Sequence, residues 1–441
     1  MNLLRVSPAL ALLVLGALGV AADEQPLTLS QALEMAQQQN PDLLAARESA
    51  AAQAERAETV SRTVWPRLGL TSGFSYSNTP ANVFMSKLNA GEFTAQDFAI
   101  PSLNDPDAIG HLTTALSVEV PLDLFGRVGS TSSGYRALSR AMSTAVDEGA
   151  QELKLRVIQA YRQASLAQSA LQVTERALAG ARAREADIEA RVAEGAALQA
   201  DLLRARARRR QREAELAERR GDASVARAAL ARALGAPAGA SYVPSEGPQA
   251  PEPVDGDETA WVERALVARP AQKAAAQKLE GTRLLLRAEE RGAWPELAVF
   301  GQVQDDRNGW SGGKQTGAAG AFLRFNLFDG GRAKRTAGAG SDVRAAEQEL
   351  RAAGDQIRLE VEMAYRRAQA ARERLAAARG GAEEGREALR VVQERRQAGL
   401  ATLTDELETE AAALGAELEE LRAATEAELA VAALRRAAGT L

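Results

Sequence analysis

Side chains suited to chemistry are few in this 441-residue chain and are not grouped for it. There is one histidine, His111, and no cysteine, which excludes a disulfide scaffold, a thiolate metal site, a cysteine nucleophile and an N-terminal lipid-modified cysteine. His111 ends a long segment between two strand-like stretches and reads as a loop or interface residue, since no Ser/His/Asp or metal-ligand arrangement accompanies it. Gly309-Trp310-Ser311-Gly312-Gly313-Lys314 has the glycines and lysine of a phosphate loop at the wrong spacing, in a place where a hairpin tip is expected. The arginine run from Arg204 to Arg212 could meet phosphates, but it lacks interleaved aromatics and leads into Glu213, Glu215 and Glu218. A salt-bridged helix face explains it better. The sequence therefore points to no enzyme, no cofactor, no metal and no nucleic-acid partner, and a net charge of -5 adds nothing to the contrary.

What remains is organisation, and the chain states most of it twice. Asn40-Pro41 through Trp65-Pro66 and Leu68 recur as Arg269-Pro270 through Trp294-Pro295 and Leu297, at a constant offset of 229. Further on, Leu155, Val157, Ala160-Tyr161-Arg162, Gly195 and Asp201 recur as Leu359, Val361, Ala364-Tyr365-Arg366, Gly399 and Asp405 at an offset of 204. The offsets differ by 25, so the first copy holds a longer internal segment. Such self-similarity marks a duplicated structural unit.

Aromatic residues make up only 4% of the chain while Ala and Arg dominate long stretches, a composition for long helices rather than a large compact core. Residues 1–22 read as an export signal: Arg5, an apolar run from Ala9 to Val20, and the small residues Val20-Ala21-Ala22. The run is too short to span a bilayer as a helix. The first copy then occupies 23–234, a five-proline linker 235–257, and the second copy 258–441. Thr28-Leu29-Ser30-Gln31 is a capping box opening a helix that should run to about Arg62, where Trp65-Pro66 stops it.

Beyond each Trp-Pro the period changes from 3.6 to 2. Strands are predicted near 66–77, 112–124, 295–305 and 316–328, with Leu68, Leu70, Phe74 and Tyr76 alternating against Gly69, Thr71, Gly73 and Ser75 in the first. Asp305 to Thr316 is a short Gly-rich turn, whereas Thr79 to His111 is a long proline-interrupted loop containing the 25 extra residues. About 65 proline-free residues follow each hairpin before Gly195 or Gly399, a helix of roughly 100 Å. Each copy thus runs helix, strand, strand, long helix, return helix. Four strands of bilayer-spanning length with one apolar face, in an exported chain, have lipid as a plausible cover, yet four strands cannot close a barrel and several chains must share one.

At this point the chain resembles the TolC family of bacterial outer-membrane efflux proteins. The resemblance rests on Leu27-Thr28-Leu29-Ser30-Gln31-Ala32-Leu33 leading to Asn40-Pro41, the Trp-Pro-x-Leu segments at Trp65 and Trp294, the hairpin exits Leu124-Phe125-Gly126-Arg127 and Leu327-Phe328-Asp329-Gly330-Gly331-Arg332, and the glycine turns followed by Asp201 and Asp405. It implies a mainly α fold with a transmembrane β-barrel: a homotrimer whose four strands per chain make a 12-stranded barrel in outer-membrane lipid, with a long periplasmic α-helical barrel. It further implies a duct of a tripartite efflux or secretion system. The distal turns, at Gly195, Ala196 and Leu198 and at Gly399, Leu400 and Leu403, would meet a periplasmic adaptor protein, and an inner-membrane pump, of resistance-nodulation-division type ahead of another efflux pump or a type I secretion ATPase, would supply substrate. Asp405 and Glu408, three apart on one helix face, would form the acidic periplasmic aperture, where the first copy has Asp201 and Arg204 instead. The competing reading is a soluble exported coiled-coil scaffold, which has no need of four apolar-faced strands.

Overall fold

The computed structural model describes residues 25–441 except 238 and 311. The expected export signal at 1–22 lies outside the described residues. The order of elements repeats as the duplication requires. The first copy contains β1 (Gln25–Leu27), α1 (Leu29–Gln39), α2 (Pro41–Ser61), β2 (Arg67–Ser77), α3 (Pro80–Ala90), α4 (Ile100–Asn104), β3 (Ile109–Leu122), α5 (Arg127–Ala193) and α6 (Gln199–Leu234). After β4 (Tyr242–Pro244), the second copy follows as α7 (Glu258–Ala268), α8 (Pro270–Arg291), β5 (Glu296–Asn308), β6 (Lys314–Arg324), α9 (Arg332–Gln397) and α10 (Leu403–Ala437). The long helices carry 67 and 66 residues without a break.

Three expectations are corrected by local chemistry. The N-terminal helix divides at Asn40, because Pro41 holds the preceding residue extended and the Asn40 Oδ1 accepts the N–H groups of Asp42 (3.0 Å) and Leu43 (3.3 Å) to start a new helix. Its counterpart Arg269 cannot accept, so the Glu148 carboxylate takes the Ala271 N–H (3.2 Å) while pairing with Arg269 (3.0 Å). The stretch Thr79 to His111 is not an irregular loop. Pro80 begins α3, Gly91 ends it in the left-handed region (φ 72°), Thr94 and Asp97 box a 3-10 turn over Ala95–Phe98, and α4 follows. The turn between β5 and β6 is also shorter than expected, since pairing persists to Asp306–Lys314.

The chain forms two compact units. One comprises the described residues up to Leu44 with Ala150–Trp261 and Val361–Leu441. Within it, the repeated Tyr-Arg pairs anchor neighbouring segments to the long helices. The Tyr161 hydroxyl donates to the Leu27 carbonyl (2.9 Å) and Arg162 pairs with Glu428 (2.6 Å), while the Tyr365 hydroxyl donates to the Gly256 carbonyl (3.3 Å) and Arg366 pairs with Glu258 (3.2 Å). The linker itself is partly regular, because β4 pairs in parallel with β1.

The other unit, Ala45–Gly149 with Val262–Glu360, holds one antiparallel sheet in the order β2-β3-β5-β6. Register carries the alternation through the whole sheet: Leu70 faces Leu116, Leu116 faces Val303, and Leu297 faces Leu323. Helices α5 and α8 approach closely at Gly134 and Gly281. A Cβ on either would lie 3.1 or 3.0 Å from the other's carbonyl oxygen.

Candidate functional site

The sheet turns its apolar face outward. Leu68, Leu70, Phe74, Tyr76, Leu116, Val303 and Leu323 are exposed, with Leu70 at 73% of its maximum, so among the described residues the pattern that usually packs a core is left on the surface. The opposite face carries Thr113, Ser117, Gln302, Gln304 and Asp306, with Phe300 and Phe322 near the helical end. At that end Trp65, Phe325 and Phe328 are exposed and Trp294, itself exposed, stacks on Phe125 at 5.2 Å, an aromatic band where strands give way to helices. Strands of 11–14 residues have the length a tilted bilayer span needs. Among the described residues, no helix is long and apolar enough to cross a membrane. Both outer strands, β2 and β6, keep one unpaired edge.

The two glycine turns have one geometry. Gly195 (φ 74°) and Gly399 (φ 76°) are left-handed, and the following residues close the helix ends, Ala196 N–H on the Arg191 carbonyl at 2.7 Å and Leu400 N–H on the Arg395 carbonyl at 2.8 Å. Gly195, Ala196, Leu198, Gly399 and Leu400 are exposed. Leu403 is not: at 8% exposure it packs with Ile188, Leu202 and Ala205 beneath the turns.

Asp405 and Glu408 are both exposed near the start of α10. Asp405 has a local task, since its carboxylate accepts the Thr402 N–H and hydroxyl (both 2.8 Å) while the Thr402 hydroxyl accepts the Asp405 N–H. The Thr402 backbone and then its hydroxyl hold that carboxyl below the usual aspartate range. Arg204 pairs with Asp201 (3.7 Å) and donates to the Thr404 hydroxyl (3.3 Å), not to either acid.

Two clusters escaped the sequence reading. Glu406, which carries no signal of its own beside Asp405, is 5% exposed and lies between Arg184 of α5 (3.3 Å) and Arg396 of α9, while Arg184 also pairs with Glu410. The only available signal was its position three residues after Leu403 on the packing face. The second cluster is on the polar face of the sheet. Asp306, 1% exposed, accepts from the Thr113 hydroxyl (3.0 Å) and the Gln304 amide (2.8 Å) and lies 3.0 Å from His111 Nε2, whose Nδ1 lies 2.9 Å from the Asn308 oxygen. His111 is thus a strand residue with partners on both ring nitrogens.

Comparison with known proteins comes to the same architecture. The family model described as outer membrane efflux protein matches residues 32–236 and 261–440. Among solved structures, the chain is similar to a membrane protein from Pseudomonas aeruginosa (22% identity, TM-score 0.76, covering 96% of this chain and 98% of that one). It is similar to the Campylobacter jejuni CmeC outer membrane channel (14% identity, TM-score 0.78, 100% and 94%) and to the Neisseria gonorrhoeae MtrE outer membrane channel in its open state (19% identity, TM-score 0.74, 93% and 88%). Comparison with curated proteins gives no match.

Proposed function

From the premise that the chain belongs to the outer membrane efflux protein family, we propose that three copies assemble into one conduit serving as the outer component of a tripartite pump. The protein is an outer-membrane channel with a periplasmic helical extension, giving pumped substrates passage from periplasm to exterior. The observation that carries the assembly is the open four-stranded sheet with an exposed apolar face. Lipid does not tolerate an unpaired edge, so β2 must pair with the β6 of another copy. Two copies would close about eight strands, a barrel whose interior side chains fill, whereas three close about 12 and leave a bore. An exported scaffold gives no reason for that face.

The adaptor, in this reading, docks on the two left-handed turns, with Leu198 and Leu400 as the exposed apolar contacts beside Gly195, Ala196 and Gly399, and with Leu403 holding the turns from below. The family resemblance supports an inner-membrane pump of the resistance-nodulation-division class. Asp405 and Glu408 from three copies line the periplasmic aperture, supported by their exposure on the first turns of α10.

Fractionation followed by native mass measurement in mild detergent tests the assembly. The expected outcome is recovery from the outer membrane at three times the monomer mass. A soluble periplasmic monomer overturns the trimer and favours the scaffold.

A further inference from the structure

We propose that the folded segment between β2 and β3 is a plug, and that its copies from three protomers meet one another across the barrel bore and narrow the external mouth through Phe98 and Ile100. The inference rests on the trimeric reading above.

Connecting β2 to β3 needs only a few residues, yet 78–108 intervene and fold. Val83 and Ala90 are buried, Phe93 sits edge-on between Phe84 (4.6 Å) and Phe98 (5.0 Å), and Lys87 bonds to Asp97 at 2.8 Å. The segment therefore has a small core of its own. It is also fastened to the sheet: α3 packs against β5, the Asn308 amide donates to Glu92 at 2.9 Å, and a Cβ on Gly91 would lie 3.0 Å from the Lys314 side chain.

Asn308 and Lys314 locate the contact. Lys314 is the register partner of Asp306, and Asn308 stands two residues from Asp306, so both project from the polar face. Asp306, on the same face as both, is 1% exposed. The opposite face bears Leu68, Leu70, Phe74 and Tyr76 and must meet lipid, which makes the polar face the interior of the closed barrel. The segment consequently lies inside the barrel wall at the end away from the long helices.

Space then decides what it touches. Twelve strands about 4.8 Å apart and tilted by about 40° enclose a bore of roughly 24 Å between opposite backbones. Three helices about 10 Å thick need a circle of about 22 Å to lie side by side. Three such segments cannot share that bore without contact. What each offers to the others is apolar: Phe98 is 65% exposed and Ile100 74%, with Met85 and Leu88 also open. Left facing water, that surface would carry an unfavourable hydration cost that the neighbouring copies remove.

The chain's lack of cysteine makes the test direct. Ile100→Cys, and separately Phe98→Cys, are treated with a short bismaleimide in intact cells, with Leu70→Cys as the outward-facing control, and trimer content is measured on each sample by native mass in detergent. The plug predicts covalent dimers at Ile100→Cys and Phe98→Cys and none at Leu70→Cys. Uncrosslinked chains from an intact trimer overturn the plug while leaving the trimer standing; absence of a trimer in the untreated protein overturns the underlying assembly instead. A second variant replaces 80–106 with a short Gly-Ser turn. Labelling of Thr113→Cys, on the inward polar face, by a polymer-linked maleimide added outside intact cells should then be severalfold faster than in the full chain, and unchanged labelling of a trimeric sample also overturns the proposal.

Discussion

Glu406 stands between two arginines from different helices, and removing it would take the buried carboxylate from Arg396 and leave Arg184 with Glu410 alone, in a place water barely reaches. Glu406→Ala is therefore expected to destabilise the helical unit by about 3 kcal/mol or more, read as lowered thermal unfolding in detergent, with Glu406→Gln losing less. Asp405 requires a gentler change, because its carboxylate also satisfies the first turn of α10. Alanine there would confound charge with capping. The double variant Asp405→Asn, Glu408→Gln keeps oxygen acceptors at both positions and removes the charge that three copies would concentrate at the aperture. Single-channel recordings should show weaker cation preference and weaker divalent block. Selectivity equal to that of the unaltered protein, with the trimer intact, would mean that these acids do not line the constriction.

Among the elements, the α5–α8 contact is the most constrained by size. Gly134 and Gly281 each lie where a Cβ would meet the facing carbonyl at 3.1 or 3.0 Å and a leucine side chain at 2.9 Å. Gly281→Ala must push the helices apart, at a cost of about 1–3 kcal/mol, visible as reduced thermal stability of the trimer. The segment between β2 and β3 has a pH dependence of its own. A hydrogen bond from the Lys87 ammonium, and then the Thr94 backbone, lowers the Asp97 carboxyl from 3.8 to about 2. A depressed carboxyl contributes its stability above its ordinary value and loses it as pH falls from 3.8 through about 2. Conductance attributed to the plugged state should accordingly stay flat from neutral pH down to about 4 and change only below that. A change centred near pH 6 would implicate a different group.

For the molecule as a whole, the open sheet sets the assembly. On the trimeric reading, the exposed apolar residues of the strands meet lipid once the edges close on other copies. A charge placed on that face is then far more harmful than one on the other side. Leu70→Arg should lower trimer yield in the outer membrane sharply, while Ser117→Arg, exposed on the polar face, should leave yield largely intact and alter conductance. Equal yields for the two variants would show that the face does not meet lipid.

Periodicity and spacing determined a good deal on their own. The duplicated order of elements, the four strands and their apolar face, the two glycine turns and the length of the proline-free helices were legible because each depends on backbone chemistry or on a repeat of two or 3.6 residues. The helices within Thr79 to His111 were partly legible in Pro80, Gly91 and the Thr94–Asp97 box, but the prolines drew attention to a loop. Tertiary structure decided the rest. Whether an acid is a surface charge or a buried partner depends on what the next helix presents, so Glu406 and Asp405, adjacent in sequence, have different roles. His111, Asp306 and Asn308 come together across nearly two hundred residues because register between β3 and β5 pairs them, and no local pattern encodes that distance. The side of the sheet on which the inserted segment lies was settled in the same way, by the contacts of Glu92 and Gly91 with strands from the other copy of the repeat.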